Sequence, residues 1–401
     1  MGLIVQKFGG TSLDSDEKRS AAVRHIDEAR SEGHSVVVVV SAIGRKGEPY
    51  STDTLLALVH DGAVSRRERD TLLACGEAIS AVKFASCLES RGLRATVLSG
   101  QQAGIVTDDN YGNAEVLNVN PDRMLELVSR GTIPVVMGFQ GASELGDVTT
   151  LGRGGSDITA VVLGAALKAV YVEIFTDVNG IMTADPRIVP EARHVTNLSY
   201  SEMYDLSSNG ATVLHPSAVH LAAERKVPLR IRKTISDAPG TTILSHSENN
   251  EAQSSPNIKG IALTDKLVQI SFSETSGDVR KFMDFDGDDG FVVEKVHFQG
   301  QGSVYIASYS NEDVLNASLT KINSKFHQVT PCSKITIVGN IREQREWDTI
   351  QSVISNALLQ HDIDVLGSRA YQNVASYWFR SHQRGDAARI IHSALFSEMA
   401  V

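Results

Sequence analysis

Cysteine is scarce in this 401-residue sequence: Cys75, Cys87 and Cys332 are the three, and no two share a C-x-x-C spacing. That argues against a disulfide framework and against a zinc site, and reads the thiols as small buried hydrophobes. Positive charge is also short, with 38 Lys and Arg against 48 Asp and Glu and a formal net charge of -10. An acid-rich chain lacks the electrostatic footprint of a nucleic-acid or anionic-membrane binder, so neither partner is expected. No apolar run reaches membrane-spanning length, and the chain opens on a strand without signal-peptide architecture; a soluble cytoplasmic protein is the expectation. P-loop spacing, the G-x-G-x-x-G dinucleotide spacing, HExxH, a nucleophile elbow and Cys/His patterns are missing as well.

What is present is an ordinary globular composition, 42% hydrophobic and 21% charged, at a length that suits two or three domains. The most informative run is Thr149-Thr150-Leu151-Gly152-Arg153-Gly154-Gly155-Ser156-Asp157, set between the strand-like Ile133–Met137 and an apolar helical segment. Glycines there let the backbone approach a bound group, and the first N–H groups of the helix point at an anion. The run reads as an anion cradle with an arginine fork. A second glycine turn, Lys7-Phe8-Gly9-Gly10-Thr11-Ser12, closes the first strand, Leu3–Gln6, ahead of the helical Glu17–Ala29.

Up to residue 245, β-branched runs alternate with helical stretches. Strands are expected at Leu3–Gln6, Val36–Val40, Ala95–Leu98, Ile133–Met137, Val170–Phe175 and Pro228–Arg232. Helices are expected at Arg66–Ser90, Pro121–Ser129, Ser156–Leu167, Tyr200–Leu206 and Pro216–Glu224. Five consecutive valines suit a central strand covered on both faces, and the alternation predicts an α/β fold with a mostly parallel sheet and ligands at the carboxyl ends of its strands. Residues 246–257, rich in Ser, Asn and Glu, read as a linker. Residues 258–401 change rhythm. Strand-like Lys259–Leu263, Val268–Phe272, Ser303–Ser308, Ile335–Val338, Asp364–Gly367 and Val374–Phe379 mix with helical Asp278–Phe285, Asp313–Ser324, Thr349–His361 and Asp386–Phe396, which suggests two small α/β modules.

Polar residues stand where the strands end: Lys7 after the first, Ser41 after the valines, Thr176-Asp177 after Val170–Phe175. At the ends of parallel neighbours such groups share one cleft. Lys7 can neutralise a phosphate; Asp177 can bind a ribose hydroxyl or an ammonium, or simply cap a turn. Glu77, in an otherwise apolar helix, is either a paired core carboxylate or a ligand for an amine. Asp185-Pro186-Arg187 and His215-Pro216 read first as turns.

Together, the Lys7–Ser12 and Leu151–Asp157 runs, Phe175-Thr176-Asp177, Asp185-Pro186-Arg187 and Val213-Leu214-His215-Pro216 resemble the aspartate kinases of the amino-acid-kinase superfamily. Ser41-Ala42-Ile43-Gly44-Arg45-Lys46-Gly47, with Thr52 and Asp53, is similar in detail to diaminopimelate-sensitive bacterial members. The resemblance covers about residues 1–244. It implies a three-layer sandwich catalytic domain over residues 1–245, followed by two interleaved ferredoxin-like ACT modules. It also implies MgATP-dependent phosphorylation of the side chain of L-aspartate to 4-phospho-L-aspartate, toward lysine, threonine and methionine. By the same resemblance Lys7, Phe8, Gly9, Gly10, Ser12, Thr176, Asp177, Met182 and Arg187 hold ATP. Ser41, Thr52, Glu77, Arg153, Gly154, Gly155 and Ser156 hold aspartate, and Asp157 organises Lys7 and Mg2+, with no dedicated protein metal site.

Two departures stand against the pattern. The family run Gly-Ala-Lys-Val is here Gly210-Ala211-Thr212-Val213, which removes a cation near the nucleotide. The Val-Gly-x-Gly-Met effector loop is replaced by Val338-Gly339-Asn340-Ile341-Arg342-Glu343-Gln344-Arg345, and the acidic run Asp284–Asp289 stands where a compact helix end belongs. An amino-acid effector at the ACT region, with altered or lost feedback, and homodimers or higher homo-oligomers are the implied partners. A non-catalytic sensor of the same fold and a kinase for another small carboxylate are the alternative readings.

Overall fold

The computed structural model describes residues 2–60, 62–245, 257–272, 291–298, 302–322, 326–341 and 344–396. The linker reading up to residue 256, the helix Asp278–Phe285, the acidic run Asp284–Asp289, and Arg342 and Glu343 lie outside them. Contacts divide the chain into two compact units. One holds residues 2–181, 194–204 and 212–245; the other holds 182–193, 205–211 and the described residues from 257 onward.

The first unit opens with β1 (Leu3–Phe8), α1 (Asp16–Ser31), β2 (Ser35–Val40), α2 (Thr52–Leu56), α3 (Arg66–Glu89) and β3 (Ala95–Leu98). There follow β4 (Ile105–Thr107), β5 (Val116–Val119), α4 (Asp122–Ser129), β6 (Ile133–Met137), β7 (Gln140–Ser143), β8 (Val148–Thr150), α5 (Gly155–Ala166) and β9 (Val172–Thr176). After β10 (Ile181–Met182), β11 (His194–Val195), β12 (Asn197–Ser199) and α6 (Tyr200–Ser208), of which Met182 and residues 205–208 count with the second unit, it ends with α7 (Pro216–Arg225), β13 (Leu229–Lys233) and β14 (Thr241–Leu244).

Eight strands form the main sheet in the order β12-β14-β13-β9-β1-β2-β6-β3, parallel throughout except for β13 against β14. The valine run is β2, between β1 and β6, and all five valines are buried. Its alternation works on both faces: Val36, Val38 and Val40 pack with Ile4 and Phe8 against Ile26 of α1 and Phe84 of α3, leaving Val37 and Val39 to the opposite layer.

The small antiparallel-edged sheet β5-β4-β7-β8 is absent from the strand expectations. Its strands are three or four residues long, and Gln140-Gly141-Ala142-Ser143 carries no β-branched signal. In consequence Leu151–Gly154 leaves β8, not Ile133–Met137 directly. Two further readings need correction. Helix α3 is long and apolar enough, by length and composition alone, to cross a membrane; here Ala81, Phe84 and Leu88 enter the core cluster of the main sheet. Of the three thiols only Cys332 is buried; Cys75 is exposed.

The second unit contains one antiparallel six-stranded sheet, β16-β17-β15-β18-β20-β19. Its strands are β15 (Asn257–Phe272), β16 (Phe291–Phe298), β17 (Gly302–Tyr309), β18 (Phe326–Asn340), β19 (Val365–Tyr371) and β20 (Val374–Arg380), with helices α8 (Glu312–Ile322), α9 (Gln344–Gln360) and α10 (Arg384–Phe396). The expected strands Lys259–Leu263 and Val268–Phe272 are one strand. Polar Thr264-Asp265-Lys266, which reads as a break, is a bulge: the register with β18 shifts between Thr264 and Leu267, and Lys266 takes φ 57°. Ile335 and Ile337 of β18 face Trp347, Ile354, Ile391 and Leu395 of α9 and α10. On the alternate positions Lys334 Nζ lies 2.9 Å, and Thr336 Oγ1 3.3 Å, from Asn209 Oδ1, while Thr264 Oγ1 donates to the Asn209 carbonyl at 2.8 Å.

Those bonds hold residues 205–211 on the sheet, and Gly210 is what lets them. At φ 116°, a Cβ there would overlap the Leu263 carbonyl oxygen. Gly210→Ala is therefore expected to lower unfolding free energy by about 1–3 kcal/mol, read as a reduced urea midpoint; an unchanged midpoint would contradict that close approach.

Candidate functional site

The carboxyl ends of β1, β2 and β9 lie side by side because the three strands are parallel neighbours. Lys7, near the end of β1, sends its ammonium to within 2.8 Å of Asp157 Oδ1 in the first turn of α5, and both side chains are only 12% exposed. The contact is an ion pair, not a well-directed hydrogen bond. Beyond Lys7 the Gly9 N–H donates to Phe175 O at 3.3 Å, and a short 3-10 turn, Gly10–Ser12, follows, with Ser12 Oγ donating to the same carbonyl at 3.1 Å. Gly10 packs so close to the Ala42 carbonyl that a side chain there would overlap it. Phe8 differs in kind: its ring is fully buried and stacked on Phe175 at 4.7 Å, so only its backbone can meet a ligand.

The second glycine run folds as the first suggests. Gly152 and Gly154 take φ 70° and 72°, Gly154 caps α5, and a Cβ at Gly154 would strike His215. His215 itself caps α7, accepting from Ser217 N at 3.4 Å, with Pro216 as the first helical residue.

Both runs open onto one cavity of about 750 Å³. Lys7, Gly10, Ser41, Thr52, Glu77, Arg153, Gly154, Gly155, Ser156 and Asp157 line it. The rest of the sequence-derived set is elsewhere. Gly9 and Ser12 belong to the β1 turn but not to the lining. Thr176 ends β9 and Asp177 follows it; Asp177 Oδ2 accepts from exposed Arg45 at 2.8 Å. Met182 and Arg187 belong to the second unit, where the Arg187 guanidinium is bonded to Asp185 Oδ2 at 2.6 Å.

Glu77 is the most perturbed group on the cavity wall. It is 2% exposed; Oε1 accepts the Ala42 N–H at 3.0 Å, and Oε2 has no partner. Desolvation pushes its carboxyl up to about 8 against the restraint of the Ala42 bond, so it is held largely protonated at neutral pH. A cation delivered to Oε2 would ionise it. Arg153, exposed on the same wall, offers the opposite charge.

Sequence reasoning passed over Asp70, which also lines the cavity and is 1% exposed. It sits in Arg66-Arg67-Glu68-Arg69-Asp70, a run that reads as a solvated helix start. The available signal was spacing: Arg66, Arg69, Asp70, Leu73 and Glu77 recur at three, four and seven residues, and all five line the cavity from one face of α3.

Comparison with known proteins bears on this arrangement. Residues 2–233 match the family model described as the amino acid kinase family. Aspartokinase 1 of Bacillus subtilis is 51% identical over 248 residues, 61% of each chain, and the aspartokinase of Geobacillus stearothermophilus is 42% identical over 273 residues, 68% of this chain and 65% of that one. The chain thus spans about 61% and 65% of these relatives' own lengths. Among solved structures, E. coli aspartokinase III with aspartate and ADP has a TM-score of 0.75 at 21% identity, covering 98% of this chain and 100% of that one. Clostridium acetobutylicum aspartate kinase has a TM-score of 0.75 at 22% identity, covering 98% and 99%. The likeness therefore extends in fold over nearly the whole chain. With its parallel sheet, paired glycine turns and matched residues 2–233, the chain belongs to the amino acid kinase family.

Proposed function

We propose that the protein is an aspartate kinase, transferring the γ-phosphoryl group of MgATP to the side-chain carboxylate of L-aspartate to give 4-phospho-L-aspartate. The observation that carries this reading is the cavity itself, lined by an ion-paired lysine beside two glycine turns, a desolvated, half-partnered carboxyl and an exposed arginine. The curated relatives named aspartokinase support it. In this reading residues 1–245 are the catalytic domain, and the C-terminal residues 258–401 form the paired ACT region beyond a 246–257 linker.

A carboxylate is already an anionic nucleophile at neutral pH, so no general base is required. The barrier is repulsion between that anion and the phosphates, plus the entropy of alignment. Lys7 meets the transferring phosphoryl oxygens, and the backbone N–H groups of Gly10 and the α5 N-terminus surround them, while Gly9 and Ser12, both bonded to the Phe175 carbonyl, hold the turn. Asp157 keeps the Lys7 ammonium in place. Mg2+ would enter with the nucleotide and neutralise phosphate charge, with Asp157 as the carboxylate that would face it; among the described residues no three His, Cys, Asp or Glu side chains gather to hold a metal by themselves. Arg153, with Gly154, Gly155 and Ser156, receives the substrate α-carboxylate, Glu77 its ammonium, and Ser41 and Thr52 its polar edge. Thr176 and Asp177 attend the nucleoside end, and Phe8 contributes only backbone.

The proposal extends to a cytoplasmic homo-oligomer acting at the head of lysine, threonine and methionine synthesis. E. coli aspartokinase III has been solved with lysine and aspartate, which supports an amino-acid effector for the C-terminal region. Loss of the second glycine in Val338–Arg345 supports altered feedback, since a nest of N–H groups that receives an effector carboxylate is interrupted.

Hydroxylamine trapping with ATP and L-aspartate should yield the acyl hydroxamate; aspartate and nucleotide binding without turnover would favour a sensor instead. Lys7→Ala should lower kcat at least about 100-fold, roughly 2.7 kcal/mol, in protein that still folds. Near-normal kcat would remove Lys7 from the mechanism.

Glu77 generates a pH prediction. Its folded-state value of about 8 lies above the ordinary 4.5, so its ionisation weakens folding progressively as pH rises between those values. A substrate ammonium reverses that preference, and binding then releases a proton. The KM for aspartate should fall as pH rises toward about 8 and level off above it; Glu77→Gln should raise KM, remove the slope, and melt no lower than the parent at pH 8.

A further inference from the structure

We propose that Asp70 is a positioning residue that sets the substrate side of the cavity by holding two loops on one face of α3. The inference deepens the aspartate reading of this cavity and rests on it. Asp70 Oδ2 accepts the Gly112 N–H at 2.9 Å and the Thr150 N–H at 2.7 Å, and Oδ1 accepts the Thr150 hydroxyl at 2.9 Å. Three donors converge on a carboxylate that is 1% exposed, and each comes from outside its own helix. A buried carboxylate satisfied in this way fixes its donors far more tightly than an exposed one, because releasing any of them leaves an unpaired polar atom in a dry site.

What it fixes is next to the chemistry. Thr150 is three residues before Arg153; its carbonyl accepts the Ala114 N–H at 2.9 Å, and the next residue, Leu151, donates to Phe139 O at 2.9 Å. The backbone entering Gly152-Arg153 therefore has no freedom at its start. Gly112 adjoins Asn113, whose Oδ1 would lie 2.6 Å from a Cβ on Gly152, so the 112–113 loop forms the back of that same turn. The loop is pinned a second time: Tyr111 donates to Asp147 Oδ2 at 3.1 Å, and Arg67 donates to Asp147 Oδ1 at 2.6 Å. Glu77 stands two helical turns beyond Asp70 on the same side of α3. One rigid helix thus carries the ammonium-seeking carboxyl and the clamp on the loop that presents Arg153. The spacing between the two charges that would grip an α-amino acid is set through Asp70.

The test compares Asp70→Ala, Asp70→Asn and Thr150→Val in the full chain, using steady-state kinetics and calorimetric titration of L-aspartate. Asp70→Ala should raise KM and Kd for aspartate about tenfold or more while the KM for ATP stays within about twofold. Asp70→Asn should recover most of that loss, because its amide oxygen still accepts backbone N–H groups, and Thr150→Val should show a rise of about two- to fivefold in the same direction. Hydrogen exchange at residues 110–113 and 150–153 should quicken in Asp70→Ala without any ligand present. Equal rises for ATP and aspartate, or a Thr150→Val variant that binds aspartate like the parent, would overturn the proposal. Should Asp70→Ala not fold, Thr150→Val decides alone. If the parent binds aspartate yet forms no acyl phosphate, the kinase reading falls while the binding and exchange measurements still judge Asp70.

Discussion

A lysine ammonium and an aspartate carboxylate, 2.8 Å apart and mostly shielded from water, join the end of β1 to the start of α5. They are 150 residues apart in the chain, so the pair forms only once the parallel sheet has assembled and its carboxyl ends point the same way. Shielding raises the strength of the attraction and equally the cost of losing one member. Lys7 without Asp157 would be a half-buried unpaired cation. Asp157 without Lys7 would put an unscreened negative charge where phosphates are proposed to come. The two glycine turns gain their meaning from this pair, because each brings backbone N–H groups to a place whose central positive charge is already fixed.

Around it the cavity separates two electrostatic environments. Glu77 is dry and lacks a partner on one oxygen, whereas Arg153 is wet and free to reorient. For a zwitterionic ligand these differ in consequence: the dry carboxyl discriminates, since only a cation can relieve its desolvation, and the wet guanidinium attracts at little cost in specificity. Helix α3, apolar enough to be taken for a membrane span, instead buries Ala81, Phe84 and Leu88 in the core cluster of the main sheet and turns Asp70 and Glu77 to the cavity.

Much of the first unit could be read from the chain because its signals are local. Five valines in a row demand burial on both faces, and glycines flanked by a strand and a helix mark where a backbone must bend. Other features depend on information that residues i to i+4 do not contain. The strands β4, β5, β7 and β8 are too short to show a period, and Gln140–Ser143 is stabilised by neighbours, not by propensity. Phe8 points inward because of the pleat, which a motif does not specify. Met182 and Arg187 follow Thr176 and Asp177 closely in sequence but join the other compact unit, where Asp185 engages the guanidinium. Asp70 hides in a charged run whose average character is solvated while one member is not.

The 16-residue β15 and 15-residue β18 cross the whole width of the second unit, each lending one half to α8 and the other to α9 and α10. Two apparent modules therefore share their central backbone. They have no seam along which they could part, melt in turn, or be expressed singly, and a length change of one residue in either strand would have to be absorbed by both halves at once.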